Sequence, residues 1–442
     1  MAAERAASDW RFMLRALGHR NYRLFFSGQS VSLIGTWLTR VATSWLVYRL
    51  SGSAMLLGVV GFCGQLPTFL VAPFAGVLAD RWNRHRVLVW TQVLAMLQSF
   101  ALAALALSGV IAVWHIVVLS VVQGVINAFD IPARQSFVVE MIDAREDLPN
   151  AIALNSSMFN AARLLGPSVA GALVAAVGEG GCFLIDGFSY LAVIASLLAM
   201  RVRPRAPNAQ HQHVLSELRE GFRYAYHFPP IRTVLALLAV MSLMGTPYTV
   251  LMPIIASKVL QGGANVLGWL MAASGLGALI GAIFLASRRS VRGLGRVIVT
   301  TAAVFGVGQL AFSLSRGLVL SLVTLVATGF GMMVTMAACN TVLQTIVEER
   351  MRGRVMSFYS MAFMGTVPFG SLLAGSLASR VGAPFTIALG GAACIVAAVL
   401  FRWRLPSLRE HVRPIYARLG IIPAEVASGM AAGAERTGPQ ES

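Results

Sequence analysis

Long apolar stretches recur along almost the whole chain, and they constrain the fold more than any other feature. About twelve of them approach the roughly 20 residues that a membrane-spanning helix needs. We place these spans at 23–48, 54–79, 88–109, 112–138, 153–177, 183–200, 233–257, 266–287, 297–315, 319–346, 355–380 and 384–401. Only 12% of the residues are charged, against about 25% in a soluble protein. The sequence therefore predicts an all-α, multi-pass membrane protein with no sizeable soluble domain.

The distribution of positive charge predicts the orientation of the chain. The net charge is +17, a value also typical of nucleic-acid-binding proteins, but the 35 basic residues are divided unevenly between the two sides of the membrane. The side away from the termini holds only four of them: Arg49, Lys258, Arg316 and Arg380. Loops rich in basic residues stay in the cytoplasm, so we expect both termini there. The charge is then a topology signal, and no nucleic-acid partner is expected.

A polar break predicts two halves of six helices each. We assign residues 1–200 to an N-terminal half, 201–232 to a cytoplasmic linker with a short amphipathic run at 214–227, 233–404 to a C-terminal half, and 405–442 to a disordered cytoplasmic tail. A weak internal repeat matches three glycine pairs at one constant offset: Gly166 with Gly370, Gly171 with Gly375, and Gly178 with Gly382. Small residues also recur in any packed membrane helices, but six spans on each side favour duplication. Transporters that bind substrate between two parallel halves have this arrangement.

The loop after the second span contains a glycine and a compact acid–base cluster: Gly76, Asp80, Arg81 and Arg84. The acid can face the positive end of a neighbouring helix, and the arginines can pair with carboxylates. Such a cluster is suited to be a latch that forms in one conformation and opens in another. The alternative is a basic cytoplasmic loop with no further role. The run resembles the signature loop of the major facilitator superfamily, except that Asn83 stands where that family usually has glycine.

A closer resemblance extends over nearly the whole chain. The segments 21–25 (NYRLF), 130–135 (DIPARQ) and 352–357 (RGRVMS), together with Gly166-Pro167, resemble the bacterial exporter branch that contains enterobactin and macrolide efflux proteins. This resemblance implies a twelve-helix major facilitator fold in the bacterial inner membrane, and export of a small amphipathic compound from the cytoplasm in exchange for protons. An importer or a lysolipid flippase of the same fold remains open.

Two aspartates are the main acidic candidates. Asp130 and Arg134 are four residues apart with the acid first, a favourable helical pairing. Two roles are open for Asp130: a proton carrier, or a latch partner of Arg84, as the superfamily resemblance implies. Asp186 is the other carboxylate well within a span, and ionisable residues inside the membrane are functional candidates by default. We therefore expect Asp186 to carry the coupled proton, against the alternative of a helix-end residue reaching the headgroups.

Arg163 and Arg40 also lie within spans, where an unpaired guanidinium is costly by roughly 2.5–3.5 kcal/mol on insertion scales. We expect both to line a central cavity, where they bind an anionic or catecholate-like substrate or pair with Asp186. A purely structural pair inside one half is the alternative. Further polar and aromatic candidates for the cavity wall are Gln29, Trp37, Gln65, Asn127, Asn160, Tyr190, Tyr248, Asn340, Gln344 and Tyr359.

The motif Gly166, Pro167 and Gly171 in the fifth span is expected to kink that helix. It resembles the antiporter motif of drug/proton exchangers, although Gly-Pro kinks also serve packing alone.

Several functional classes are not expected from the sequence. No glycine-rich run leads to the single lysine, Lys258, so there is no phosphate-binding loop for ATP. No metal-ligand or catalytic cluster appears, which argues against a multi-pass membrane enzyme, a cofactor or a metal. The expected partners are a small-molecule substrate, protons and the lipid bilayer, with the protein as a monomer.

Overall fold

Apolar segments of this length form helices because a backbone in the bilayer has to satisfy its hydrogen bonds within the segment. The computed structural model describes residues 14–142, 144–202, 214–288 and 290–419, with the backbone alone for 72–81, 145 and 214–219. Within these residues the chain is helical and contains no strand. Ten helices are long and apolar enough to cross a membrane.

The N-terminal half contains six crossings. Spans 1 to 4 are Arg20–Ser51, Ala54–Arg81, Arg84–Leu107 and Val113–Phe137. Span 1 is more polar than the ten apolar helices, but its 32 residues are enough to cross. Spans 5 and 6 are continuous as Leu148–Leu198, a helix of 51 residues that breaks at Gly178 and therefore crosses twice.

The C-terminal half repeats this plan. Spans 7 to 12 are Pro229–Val259, Ala264–Ala286, Leu294–Leu314, Leu318–Ile346, Glu349–Val381 and Ala383–Arg418. Spans 7 and 11 contain π-helical turns at Met241–Gly245, Ile255–Val259 and Met361–Gly365. The predicted all-α fold with twelve crossings is thus confirmed.

A short helix, Val214–His227, precedes span 7 and coincides with the predicted amphipathic run. It packs on the start of span 11, where Arg354 donates to a Glu220 carboxylate oxygen at 2.6 Å. Phe222 and Phe358 make an edge-to-face contact with centroids 6.1 Å apart. Residues 203–213 of the predicted linker lie outside the described part of the chain.

The C-terminal segment corrects one expectation. Disorder from residue 405 is wrong for 405–418, because span 12 continues as a helix to Arg418. Leu408 is buried there, and Val412 and Ile415 pack against the same core. Their spacing gives the extension an apolar face, which keeps it helical beyond the membrane. Residues 420–442 of the predicted tail are outside the described part.

The third glycine pair of the internal repeat shares one unusual backbone conformation. Gly178 joins spans 5 and 6 with φ 73° and ψ 174°, and Gly382 joins spans 11 and 12 with φ 87° and ψ 154°. This region of backbone space is essentially open to glycine alone. The same turn therefore ends the fifth helix of each half, which supports duplication over chance recurrence of small residues.

The two halves meet through two equivalent glycine contacts. We call the end of the bundle that holds residues 14–19 and 402–418 the terminal face, and the opposite end the distal face. Near the distal face, a Cβ placed on Gly171 of span 5 would lie 2.8 Å from Cα of Gly268 in span 8. In the same way, a Cβ on Gly375 of span 11 would lie 2.7 Å from Cα of Gly58 in span 2. Backbone thus packs directly on backbone between the halves at the distal face.

Candidate functional site

Asp186 lies inside the N-terminal half, between spans 1, 3 and 6. It is 1% exposed. Its Oδ2 accepts hydrogen bonds from Thr39 Oγ1 at 2.6 Å and Ser99 Oγ at 2.7 Å, and Ser189 Oγ is 3.4 Å from Oδ1. Gly35 of span 1 leaves room for the carboxylate, since a Cβ there would collide with Asp186 and Ser189. The site is therefore a carboxyl group enclosed by hydroxyl donors.

Of the two roles left open for Arg163 and Arg40, pairing with Asp186 is not seen. Among the described residues, neither arginine makes an ion pair with it, and its near partners are hydroxyl groups of three spans. Span 6 turns the carboxylate towards the interior of its own half. The arginines lie closer to the boundary between the halves.

Asp130 is also buried, at 5% exposure, near the terminal face. Its Oδ2 is 3.1 Å from a guanidinium nitrogen of Arg134, one turn later in span 4, as the spacing predicts. Gln92 and Thr91 of span 3 donate to Oδ1 at 2.7 and 3.1 Å. The carboxylate is thus held by a cation and two neutral donors.

The ion pair of Arg84 corrects a second expectation. Arg84 at the start of span 3 pairs with Glu140, just beyond span 4, at 2.8 Å, and Asp130 is occupied by Arg134 instead. Asn83, which departs from the superfamily pattern, accepts from the backbone N–H of Arg86 at 3.2 Å and caps span 3. This local bond accounts for a polar residue at that turn.

The other members of the predicted latch are placed only by their backbone. Gly76, Asp80 and Arg81 belong to the last turns of span 2, and their side chains lie outside the described part. They lie at the terminal face, close in sequence to Arg84, but in the end of a helix and not in the predicted loop.

Arg40 and Arg163 lie near the boundary between the halves. Arg40 is exposed, and its guanidinium stacks on the Trp37 ring with 4.8 Å to the centroid. Arg163 is exposed too, and its carbonyl oxygen would lie 2.7 Å from a Cβ placed on Gly275 of span 8, in the other half. Trp37 packs on Gly166, one turn after Arg163, so the two arginines belong to adjoining parts of spans 1 and 5.

Gly166, Pro167 and Gly171 pack the spans closely and leave span 5 unbroken. Backbone dihedrals stay helical through Pro167, and the break in Leu148–Leu198 falls at Gly178, so the expected kink is not a break in the helix. A Cβ on Gly166 would lie 2.8 Å from Cβ of Trp37. The motif thus brings span 1 and span 8 against span 5.

Several partners at these sites could not be identified from the sequence. Thr39, Ser99, Thr91, Gln92 and Glu140 are each on a different helix or turn from the acid or arginine they bind. Ser189, three residues after Asp186, did carry a local signal, as Arg134 did for Asp130, since side chains three or four residues apart share a helical face.

The two six-helix halves, with equivalent turns at Gly178 and Gly382, define the class of protein, a major facilitator transporter. The structure of a point mutant of the nucleoside transporter NupG superposes with a TM-score of 0.67 at 15% identity, covering 87% of this chain and 99% of that one. An inward-facing bacterial homologue of the human lysosomal transporter Spinster gives 0.66 at 15% identity, covering 92% and 99%. These likenesses confirm the predicted fold.

Sequence relatives are bacterial transporters. The staphyloferrin A transporter of Staphylococcus aureus is 25% identical over 86% of this chain and 95% of its own length. The multidrug efflux pump Tap of Mycolicibacterium fortuitum is 27% identical over 85% and 93%. Macrolide efflux protein A of Streptococcus pyogenes is 23% identical over 86% and 96%.

The family model for transmembrane secretion effectors (MFS_3) matches residues 13–419, and this chain belongs to that family. The predicted resemblance to bacterial major facilitator exporters is confirmed. The protein is a multi-pass membrane transporter of small compounds and not an enzyme.

Proposed function

We propose that this protein exports a small amphipathic compound by alternating access coupled to proton antiport. The observation that carries the proposal is the seal between the halves at the distal face, where Gly171 meets Gly268 and Gly58 meets Gly375. A central cavity closed at one face suits loading from the other, followed by rocking of the halves. Export then requires a group whose protonation resets the carrier.

The proposal specifies how the protein is oriented in the membrane and which two parts of it move. Residues 1–200 and 233–404 rock as two units joined by the linker 201–232, in a bacterial inner membrane, as a monomer. The terminal face, which holds residues 14–19, the helix Val214–His227 and residues 402–418, is cytoplasmic because basic residues concentrate on that side. Substrate therefore loads from the cytoplasm and leaves through the distal, periplasmic face.

Asp186 is the proposed proton carrier. Its carboxyl group lies in the membrane and bonds to hydroxyl groups, with no cationic partner among the described residues. Neutralising it therefore takes a proton. Asp130 differs because Arg134 already balances its charge, which suits a structural role near the cytoplasmic mouth.

The cytoplasmic latch is proposed to comprise Gly76, Asp80, Arg81 and Arg84. Arg84 is held by Glu140 in this state, and both residues belong to the N-terminal half. The latch forms when the terminal face closes, which requires Arg84 or its neighbours in the loop to exchange partners.

Proton antiport is tested in inside-out membrane vesicles with an imposed proton gradient and a pH-sensitive dye. Catecholate siderophores, macrolides, lipophilic cations and lysolipids are added one at a time. We expect dye recovery with at least one compound, and loss of that recovery in Asp186→Asn, because an amide cannot release a proton. The matched control is Glu410→Gln, an exposed acid beyond the membrane, which should respond like the wild type.

The outcomes separate the parts of the proposal. Substrate movement without a proton signal refutes antiport, and a proton signal unchanged in Asp186→Asn refutes the assignment of the carrier. Dye recovery with lysolipids alone identifies a lipid flippase instead of an exporter of soluble compounds.

A further inference from the structure

Two guanidinium groups within the spans have no anionic partner among the described residues. Neither Arg40 nor Arg163 makes an ion pair or a hydrogen bond with any residue that the structure describes. The two are linked by packing, because Arg40 stacks on Trp37 and Trp37 lies against Gly166, one turn after Arg163. Ionisable residues at this depth usually pair with one another or with backbone carbonyls, so two unpaired like charges together need another explanation.

The nearby acids are already occupied. Asp186 is enclosed by hydroxyl donors, Asp130 is paired with Arg134, and Glu179 holds Arg49 at 2.7 Å on the distal face. Among the described residues, no internal acid is therefore left to neutralise the two arginines in this conformation. A ligand that carries negative charge can fill that role.

Packing holds the Arg40 side chain in place. Gly166 of span 5 allows Trp37 to lie directly against that helix, where any side chain at position 166 would collide with the indole. Arg40, three residues after Trp37, then stacks on the ring at 4.8 Å. Stacking orders a long side chain before a ligand arrives, which lowers the entropic cost of binding.

Arg163 packs against the opposite half. The backbone of Arg163 packs against Gly275 of span 8, with its carbonyl oxygen 2.7 Å from a Cβ placed there. Gly275 directly follows Ser274, whose Oγ is 2.8 Å from the Tyr248 hydroxyl of span 7. Arg163 therefore lies at the boundary between the halves, where a bound substrate can favour one arrangement of the halves over the other.

We infer that Arg40 and Arg163 form the binding site for an organic anion, and that the transported substrate carries a carboxylate or similar oxyanion joined to a flat apolar group. This inference rests on the proposed function and narrows its substrate class. Guanidinium forks match planar oxyanions and bind them with two parallel hydrogen bonds. Trp37 supplies aromatic surface beside the Arg40 guanidinium. A cationic substrate would meet two positive charges with no free acid among the described residues to balance them.

The test uses two probes with the same ring system and opposite charge. Carboxyfluorescein is an anionic xanthene, and rhodamine 123 is a cationic one. Binding is followed by fluorescence anisotropy on purified protein in nanodiscs of zwitterionic lipid, with empty nanodiscs as the blank. We expect the wild type to bind carboxyfluorescein more tightly than rhodamine 123. Arg40→Gln and Arg163→Gln should each lower the carboxyfluorescein affinity at least about tenfold, which corresponds to about 1.4 kcal/mol.

A matched control and a rescue variant separate binding from folding. Arg380→Gln removes an exposed arginine at the distal end of span 11 and should leave both affinities unchanged. Arg163→Lys keeps the charge without the planar fork and should bind with intermediate affinity. The melting temperature of each variant is measured alongside, so that a loss of binding is separated from a loss of folded protein.

Two results would overturn the inference. One is equal or tighter binding of rhodamine 123 by the wild type. The other is a carboxyfluorescein affinity that is absent, or that does not change in Arg40→Gln and Arg163→Gln. The assay needs no gradient and no transport, so its failure leaves the proton-antiport measurement standing, and a failure of antiport leaves the anion site standing.

Discussion

Individual ionisable residues carried the functional information in the sequence, because so few of them lie within spans. Asp186, Asp130, Arg40 and Arg163 were all identified from that rarity. Their partners were predicted less well. An arginine was one partner left open for Asp186, which instead bonds to Thr39 and to serines of two other spans. Which helix faces which is a property of packing, and no local pattern encodes it.

Gly166→Ala should weaken anion binding without contacting the ligand. The new methyl group would lie 2.8 Å from Cβ of Trp37, so the indole has to move and Arg40 loses the ring that orders it. We expect the carboxyfluorescein affinity to fall about fivefold, which is the order of a ~1 kcal/mol cation–π contact. Gly353→Ala is the control, since a Cβ there has no neighbour within 4 Å. Equal affinities in the two variants would show that Trp37 does not position Arg40.

Helices were predicted well at the level of the element, because apolar length alone decides whether a segment crosses a bilayer. The exceptions are instructive. The Gly166-Pro167 motif was expected to kink span 5, but the departure from helical dihedrals occurs at Gly178. Span 12 was expected to end at residue 401 but continues to Arg418, because Leu408 and its neighbours find a core to pack against.

The Asp130–Arg134 ion pair joins two turns of span 4, and its contribution to stability can be tested by substitution. Arg134→Gln leaves a buried carboxylate without its cation, which should destabilise the protein by roughly 3 kcal/mol. Adding Asp130→Asn removes the unpaired charge, while the amide oxygen still accepts from Thr91 and Gln92. Melting temperature in detergent should therefore be higher for the double variant than for Arg134→Gln alone. The same melting temperature for both would mean that the ion pair contributes nothing.

Duplication is the feature that organises the whole molecule. Two of the three glycine pairs in the internal repeat have equivalent roles in the structure: Gly178 and Gly382 share one turn conformation, and Gly171 and Gly375 each meet a glycine of the opposite half. The repeat predicted that these positions correspond. The contacts with Gly268 and Gly58 became visible only when the halves were seen together.

The glycine contacts that close the distal face can be weakened by one substitution in either half. Gly171→Ala and Gly375→Ala each place a methyl group within 2.9 Å of backbone in the opposite half, where neither side can yield by a rotamer change. Both should shift the protein towards a state open at the distal face. Spin labels at Val110 and Leu314, two exposed residues on opposite halves, should report a longer distance in both variants. Gly353→Ala provides the control, and unchanged distances in both variants would mean that these contacts do not form the seal.

Length, hydropathy and charge by themselves determined the number of crossings, the two-half plan and the class of protein, because a bilayer imposes the same requirement on every segment. Short sequence motifs then indicated the family to which the transporter belongs. Only the tertiary structure decided that Asp186 is enclosed by hydroxyl groups, that Arg84 binds Glu140, and that Arg40 and Arg163 have no acid partner among the described residues. Those contacts join residues that are far apart in the chain. They depend on the rotation of each helix about its own axis, which is set by packing between helices and not by the sequence of any one of them.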